Sequence, residues 1–244
     1  MILYGRNPVR EALRGRRSDT VGEVWATAAA AREEWLAACS PKLASAEEIE
    51  ARCGSGAHQG VCASAGPYPY ADAAELLALA EPVIVALDQV QDPQNLGSVC
   101  RTAECAGAAG AVIPERRAAE VTPAVCKASA GAVEHLPVAR VRNLADFLIS
   151  ARDAGCWSYG ASASGDLDPA HPRAPVPYDS PDYRDGGVIV VLGSEGSGLR
   201  PRVAGACDEL IALPMRGRIG SLNVAAAASA ILYEILQRKV DSSS

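Results

Sequence analysis

From residue 82 onwards, apolar runs of strand length alternate with stretches of helical period, and no other feature restricts the fold as strongly. Residues 83–87 form a continuous apolar run, the pattern of a parallel strand covered on both faces. A helix over 96–106, stopped by Gly107, and a short strand at 111–113 follow it. The pairing repeats with a helix near 122–130, a strand at 136–141, a helix over 144–154 and a strand at 156–160. Residues 187–192 make the strongest strand, 210–213 another, and 222–238 a long, largely apolar helix. This order predicts the α/β class, a parallel sheet with helices on both faces. Residues 165–186, rich in Pro and Asp, read as a long surface loop.

Residues 1–66 read as a separate small α/β unit. Asn7-Pro8 has the form of an N-cap followed by a first-turn proline. Val9, Ala12 and Leu13 then give an apolar stripe, with Arg10, Arg14 and Arg17 at helical spacing on another face. A strand over 21–26, a polar helix over 46–52 and a second strand over 59–63 complete the unit. Gly66-Pro67-Tyr68-Pro69-Tyr70 interrupts any regular element and predicts a linker between separable units. The expected division is 1–66, a linker over 67–81 and a larger unit over 82–244.

Composition narrows the function classes. The 244 residues are 49% hydrophobic and 21% charged, an ordinary globular balance. A formal charge of −6 excludes blanket phosphate neutralisation, so any nucleic acid must be held by local basic patches. Eight cysteines stand without a C-x-x-C pair and three histidines stand apart, which predicts reduced thiols and no metal site. Without an N-terminal apolar segment or a run of 18 apolar residues, the expected location is the cytoplasm.

Three loops carry the candidate chemistry, each leaving the carboxyl end of a predicted strand, the edge where open α/β sheets bind ligands. The first, 88–97, runs into a helix through Asn95 and reaches Arg101 among Ala, Cys and Val. Asn95 there has the position of an N-cap, and Arg101 that of a snorkelling cation or a phosphate fork. The second, 192–199, sets Gly193, Gly196 and Gly198 around Glu195, allowing close approach of backbone to a ligand. It lacks the G-x-G-x-x-G spacing, which disfavours a nucleotide-dependent oxidoreductase. The third, 213–224, brings Ser221 as an expected N-cap and Asn223 as a polar residue opening an apolar helix.

In this order the segments resemble the three motifs of the SpoU (TrmH-like) 2′-O-ribose methyltransferases of the SPOUT superfamily. The match is N-x-G-x-x-x-R-T-A at 95–103, G-x-E-G-x-G at 193–198 and P-M-x-G-x-x-x-S-L-N-V at 214–224. The N-terminal unit, with 4–9 and 58–61, resembles the L30e-like substrate-binding domain joined to ribosomal RNA members. The resemblance implies a C-terminal trefoil knot, bound S-adenosylmethionine, a homodimer and an RNA substrate. That substrate is expected to be 23S ribosomal RNA; transfer RNA and a non-catalytic RNA-binding role are the alternatives. It further implies a cofactor site of Leu192, Gly193, Gly196, Leu213, Met215 and Leu222, and a catalytic group of Asn95, Arg101, Glu195, Ser221 and Asn223. Arg6, Arg10 and Arg14 are the expected RNA-binding residues of the small unit. The implied role of Arg101 is either general base or a grip on the adjacent RNA phosphate; an arginine resists deprotonation, which favours the grip.

Overall fold

The computed structural model describes residues 1–162, 174–194 and 196–242. The first unit holds β1 (Ile2–Tyr4), α1 (Arg6–Ala12), β2 (Val21–Ala26), α2 (Glu34–Ala37), β3 (Lys42–Leu43), α3 (Ala46–Cys53) and β4 (Val61–Ala65). Its sheet runs β1-β4-β2-β3, with β4 antiparallel to both β1 and β2. α3 begins in a capping box, in which Ser45 Oγ accepts from Glu48 N and Glu48 accepts from Ser45 N. β4 starts two residues later than expected, because Gln59 and Gly60 turn the chain at φ of 55° and 78°.

α1 is also shorter than its arginine spacing predicts. It ends at Ala12, and the chain turns at Gly15, where a Cβ would lie 2.5 Å from the Glu134 carbonyl oxygen. Arg17 therefore leaves the exposed stripe and points inward, 2% exposed. Its Nε and Nη2 donate to the two Glu134 carboxylate oxygens at 2.8 and 2.5 Å. Burial alone would lower the Arg17 pKa, but the Glu134 hydrogen bonds raise it, so the guanidinium stays charged.

The second unit continues with α4 (Ala73–Leu77), β5 (Val83–Asp88), α5 (Pro93–Cys105), β6 (Gly110–Pro114), α6 (Pro123–Ala128), β7 (Val138–Val141) and α7 (Leu144–Asp153). It ends with β8 (Cys156–Ser162), β9 (Val176–Pro177), β10 (Gly187–Gly193), α8 (Pro201–Ala204), β11 (Glu209–Ala212) and α9 (Val224–Ser242). The seven strands pair in parallel in the order β7-β6-β5-β10-β8-β11-β9. Alternate residues of the central strands face opposite cores. Val85, Leu87, Val190 and Leu192 join one, with α5 and α9, while Ile84, Ala86, Ile189 and Val191 join the other, with α7 and α8. Such two-sided burial accounts for the unbroken apolar runs. Among the described residues, no helix is long and apolar enough to cross a membrane.

The segment expected to separate the units is instead docked. The Tyr68 hydroxyl donates to the Val133 carbonyl at 2.8 Å, and the Tyr70 hydroxyl accepts from Val121 N at 2.9 Å. α4 occupies part of the same stretch, capped by Asp72. Of the loop expected over 165–186, residues 165–173 lie outside the described residues. In the remainder, β9 pairs with β11 and Tyr183 is buried edge-on against Tyr159, ring centroids 4.9 Å apart.

Candidate active site

The sheet order reverses between β5 and β10, whose carboxyl ends lie side by side with Gly193 opposite Asp88. Open α/β sheets bind ligands at such a switch point. Asp88 is fully buried and ties the two loops together: its carboxylate accepts from Arg200 N and Arg200 Nε, both at 2.8 Å. The loop after β10 closes on itself where Ser194 and Gly198 exchange backbone hydrogen bonds of 3.2 and 3.0 Å. A Cβ on Gly193 would collide with the Gly198 carbonyl and lie 2.5 Å from Leu199 N, so only glycine permits this fold-back. Asp88 and Arg200 were not legible as a pair, being more than a hundred residues apart in the chain.

Beside this loop lies a cavity of about 690 Å³, within the range of small-molecule sites. Leu192, Gly193, Gly196, Leu213, Met215 and Leu222 all line it. Ser221 and Asn223 complete that rim, and Ala161, Ser162, Ala227 and Ile231 form walls that no motif indicated. The lining is largely backbone, small side chains and aliphatic groups, with Ser194 and Ser197 hydroxyls 2.6 Å apart at the edge.

Both expected helix caps move. α5 starts at Pro93, capped by Asp92, whose Oδ1 accepts from Gln94 N at 2.9 Å. Asn95 is thereby placed inside the first turn of α5 rather than at its cap. α9 starts at Val224, and its cap is Asn223 rather than Ser221: Asn223 Oδ1 accepts from Ala225 N at 2.9 Å. Capping fixes which end of that carboxamide is which, and Asn223 Nδ2 donates to Asn95 Oδ1 at 2.9 Å. The first and third loops are thus joined at the cavity rim by a side-chain hydrogen bond.

Arg101 does not line the cavity. It is exposed on α5 and has no carboxylate partner among the described residues. Its neighbour Thr102 faces α9, with Thr102 Oγ1 3.3 Å from Ser229 Oγ. Glu195 lies outside the described residues. In the small unit Arg6 pairs with Glu33 at 2.6 Å and Arg10 with Glu11 at 2.9 Å, while Arg14 is exposed without a carboxylate partner. No group of three His, Cys, Asp or Glu among the described residues could hold a metal ion.

Residues 82–233 match the SpoU rRNA Methylase family, and residues 2–71 match the RNA 2′-O ribose methyltransferase substrate binding family. The chain belongs to the SpoU rRNA methylase family. A Bacillus subtilis (strain 168) protein described as a TrmH family tRNA/rRNA methyltransferase is 42% identical over 190 residues, 76% of this SpoU chain and 72% of its own. The SpoU methyltransferase AviRb of Streptomyces viridochromogenes, solved with AdoMet, shares the fold at a TM-score of 0.80 and 24% identity, over 98% of this chain and 90% of its own. An AdoMet-bound rRNA methyltransferase from Sinorhizobium meliloti gives a TM-score of 0.78 at 26% identity, covering 97% of this chain and 86% of its own. The protein is therefore an RNA methyltransferase of the SpoU/TrmH type.

Proposed function

We propose that this methyltransferase transfers a methyl group from S-adenosylmethionine to a ribose 2′-hydroxyl, with 23S ribosomal RNA as its substrate. The observation that carries the reading is that the second and third loops line one cavity at the switch point of the sheet while Asn95 of the first is tied to its rim through Asn223. The cavity suits the cofactor: its volume is adequate, and the fold-back that Gly193 permits brings backbone of the glycine loop to its wall. Leu192, Gly193, Gly196, Leu213, Met215 and Leu222 would hold it, in the segment where the resemblance implies the trefoil knot. When bound, S-adenosylmethionine supplies the activated methyl group.

The protein's own task is then to position the hydroxyl and help its proton leave. Asn223, oriented by its cap, holds Asn95 at the rim, so the two loops present a fixed edge to an incoming nucleotide. Arg101, exposed and with a planar fork that no carboxylate among the described residues engages, is suited to grip the phosphate beside the target ribose. The match of residues 2–71 to an RNA 2′-O ribose methyltransferase substrate-binding family supports ribose methylation and an RNA-binding role for the small unit. We further take the protein to act as a homodimer in the cytoplasm, through α9, where Tyr233 and Val240 are 50% and 56% exposed.

Mapping 2′-O-methyl positions in total RNA from strains with and without the gene tests the substrate. Loss of one site in 23S ribosomal RNA is the expected result. Loss confined to transfer RNA would move the substrate, and no loss would contradict the proposal.

A further inference from the structure

The arginines of the catalytic unit sort by position. Among the described residues from 82 onwards, Arg152, Arg200, Arg202 and Arg238 are each held by a carboxylate within 2.8 Å. Arg116, Arg117, Arg142, Arg216 and Arg218 are exposed and have no carboxylate partner. All five lie on loops leaving the carboxyl ends of strands: Arg116 and Arg117 after β6, Arg142 after β7, Arg216 and Arg218 after β11. Three carboxylates near these loops are already paired, Glu120 with Arg140, Asp146 with Arg202 and Asp88 with Arg200, while Glu115 beside Arg116 is exposed. In a chain of net charge −6, the loops on the edge that carries the cavity thus hold five exposed arginines without a carboxylate partner among the described residues.

The order β7-β6-β5-β10-β8-β11 spreads these loops over five strand spacings, roughly 24 Å at 4.7–4.9 Å each. That width spans several phosphates at about 3.4 Å of rise per nucleotide. The small unit packs on the same flank as the β6 and β7 loops, through Lys127 of α6, which donates to Gln59 Oε1 at 2.9 Å, and through the Arg17–Glu134 pair. Arg116, Arg117 and Arg142 thus lie on the flank that joins that unit to the cavity, and Arg216 and Arg218 lie on its far side.

We propose that these five arginines form a backbone-binding track for single-stranded RNA, which crosses the carboxyl edge of the sheet and carries the target ribose over the cavity. The inference rests on the reading of the protein as an RNA methyltransferase. Exposed, flexible cations on loops hold phosphates without reading bases, so the track supplies affinity and register rather than sequence choice.

The test combines Arg116→Gln, Arg117→Gln and Arg142→Gln in the full-length protein. Binding of a labelled single-stranded oligoribonucleotide and of labelled ribosomal RNA is followed by anisotropy across a salt series. Loss of three phosphate contacts should weaken binding at least tenfold at low salt and flatten the log–log salt dependence by about 2, at roughly 0.7 per contact on a single strand. KM for RNA should rise with kcat largely kept, and calorimetric affinity for S-adenosylmethionine should not change. Arg184→Gln, near the amino end of β10, is the control and should bind as the unaltered protein does. An unaltered salt slope in the triple variant, or an equal loss in the control, overturns the track. Failure of the underlying reading looks different: the unaltered protein itself would neither bind nor methylate RNA.

Discussion

Asn223 does two things with one carboxamide. Its oxygen caps α9 and its nitrogen is thereby left to hold Asn95. Arg101, one turn and a half beyond Asn95 on α5, has no such internal duty. Arg101→Ala should therefore leave folding and calorimetric cofactor affinity near normal while lowering turnover about a hundred- to a thousand-fold, the usual cost of losing one preorganised transition-state contact. Arg101→Lys should be nearly as defective, because an ammonium cannot replace a planar fork. A folded Ala variant with normal turnover ends the assignment. A second prediction concerns thiols. Burial pushes Cys100, Cys126 and Cys207 up to about 12. In the unfolded chain a thiol ionises near pH ~8.5, so the folded state loses stability as pH rises from there toward 12. The unfolding midpoint should fall from pH 8 to pH 10, and a Cys100→Ala, Cys207→Ala variant should show a shallower fall over that interval.

Local elements were legible where periodicity and caps agree. β2 was placed to the residue, and six of the seven parallel strands to within two residues, because buried runs of Val, Ile and Leu admit few other readings; β9 fell inside the expected loop, since a two-residue strand leaves no run to read. The starts of α5 and α9 were misread because Asp92 and Asn223 outcompete Asn95 and Ser221 as caps, and the choice depends on contacts between loops 128 residues apart. Arg17 was misread because a buried carboxylate on a distant turn, Glu134, cannot be seen from helical spacing. The glycine loop after β10 tests how far the cavity depends on an element. Gly193→Ala places a Cβ against the Gly198 carbonyl, so the loop must shift, at a cost of about 1–3 kcal/mol typical of overpacking. Reduced calorimetric affinity for S-adenosylmethionine with secondary structure retained is the expected outcome. Normal affinity would mean that the loop does not shape the site.

At the scale of the whole molecule, the two units share one core: Leu3 and Val9 of the first belong to the same cluster as Val125 and Val133 of the second. The Arg17–Glu134 pair crosses that junction with side chains 1% and 0% exposed. Arg17→Ala leaves a buried carboxylate without its partner and should cost about 3–5 kcal/mol in denaturant unfolding. Replacing both partners, Arg17→Met with Glu134→Leu, should recover most of that loss, since well-packed apolar groups often substitute for a buried ion pair. If the double variant were as unstable as the single, the pair would owe its role to something other than charge burial. In the proposed function, a unit fixed in this way would set the distance from the RNA it binds to the cavity. The linker composition gave no sign of this, because Tyr68 and Tyr70 act through partners that only the fold supplies.

The central claim is chemical: a methyl group goes to a ribose oxygen of RNA. Purified protein incubated with methyl-labelled S-adenosylmethionine and ribosomal RNA tests it directly, with the RNA then hydrolysed in alkali and its nucleosides identified by mass spectrometry. A 2′-O-methylated ribose blocks cleavage of the adjoining phosphodiester, so the account predicts label in alkali-resistant dinucleotides and a 2′-O-methyl nucleoside. Label released in alkali-labile mononucleotides carrying a methylated base would contradict it.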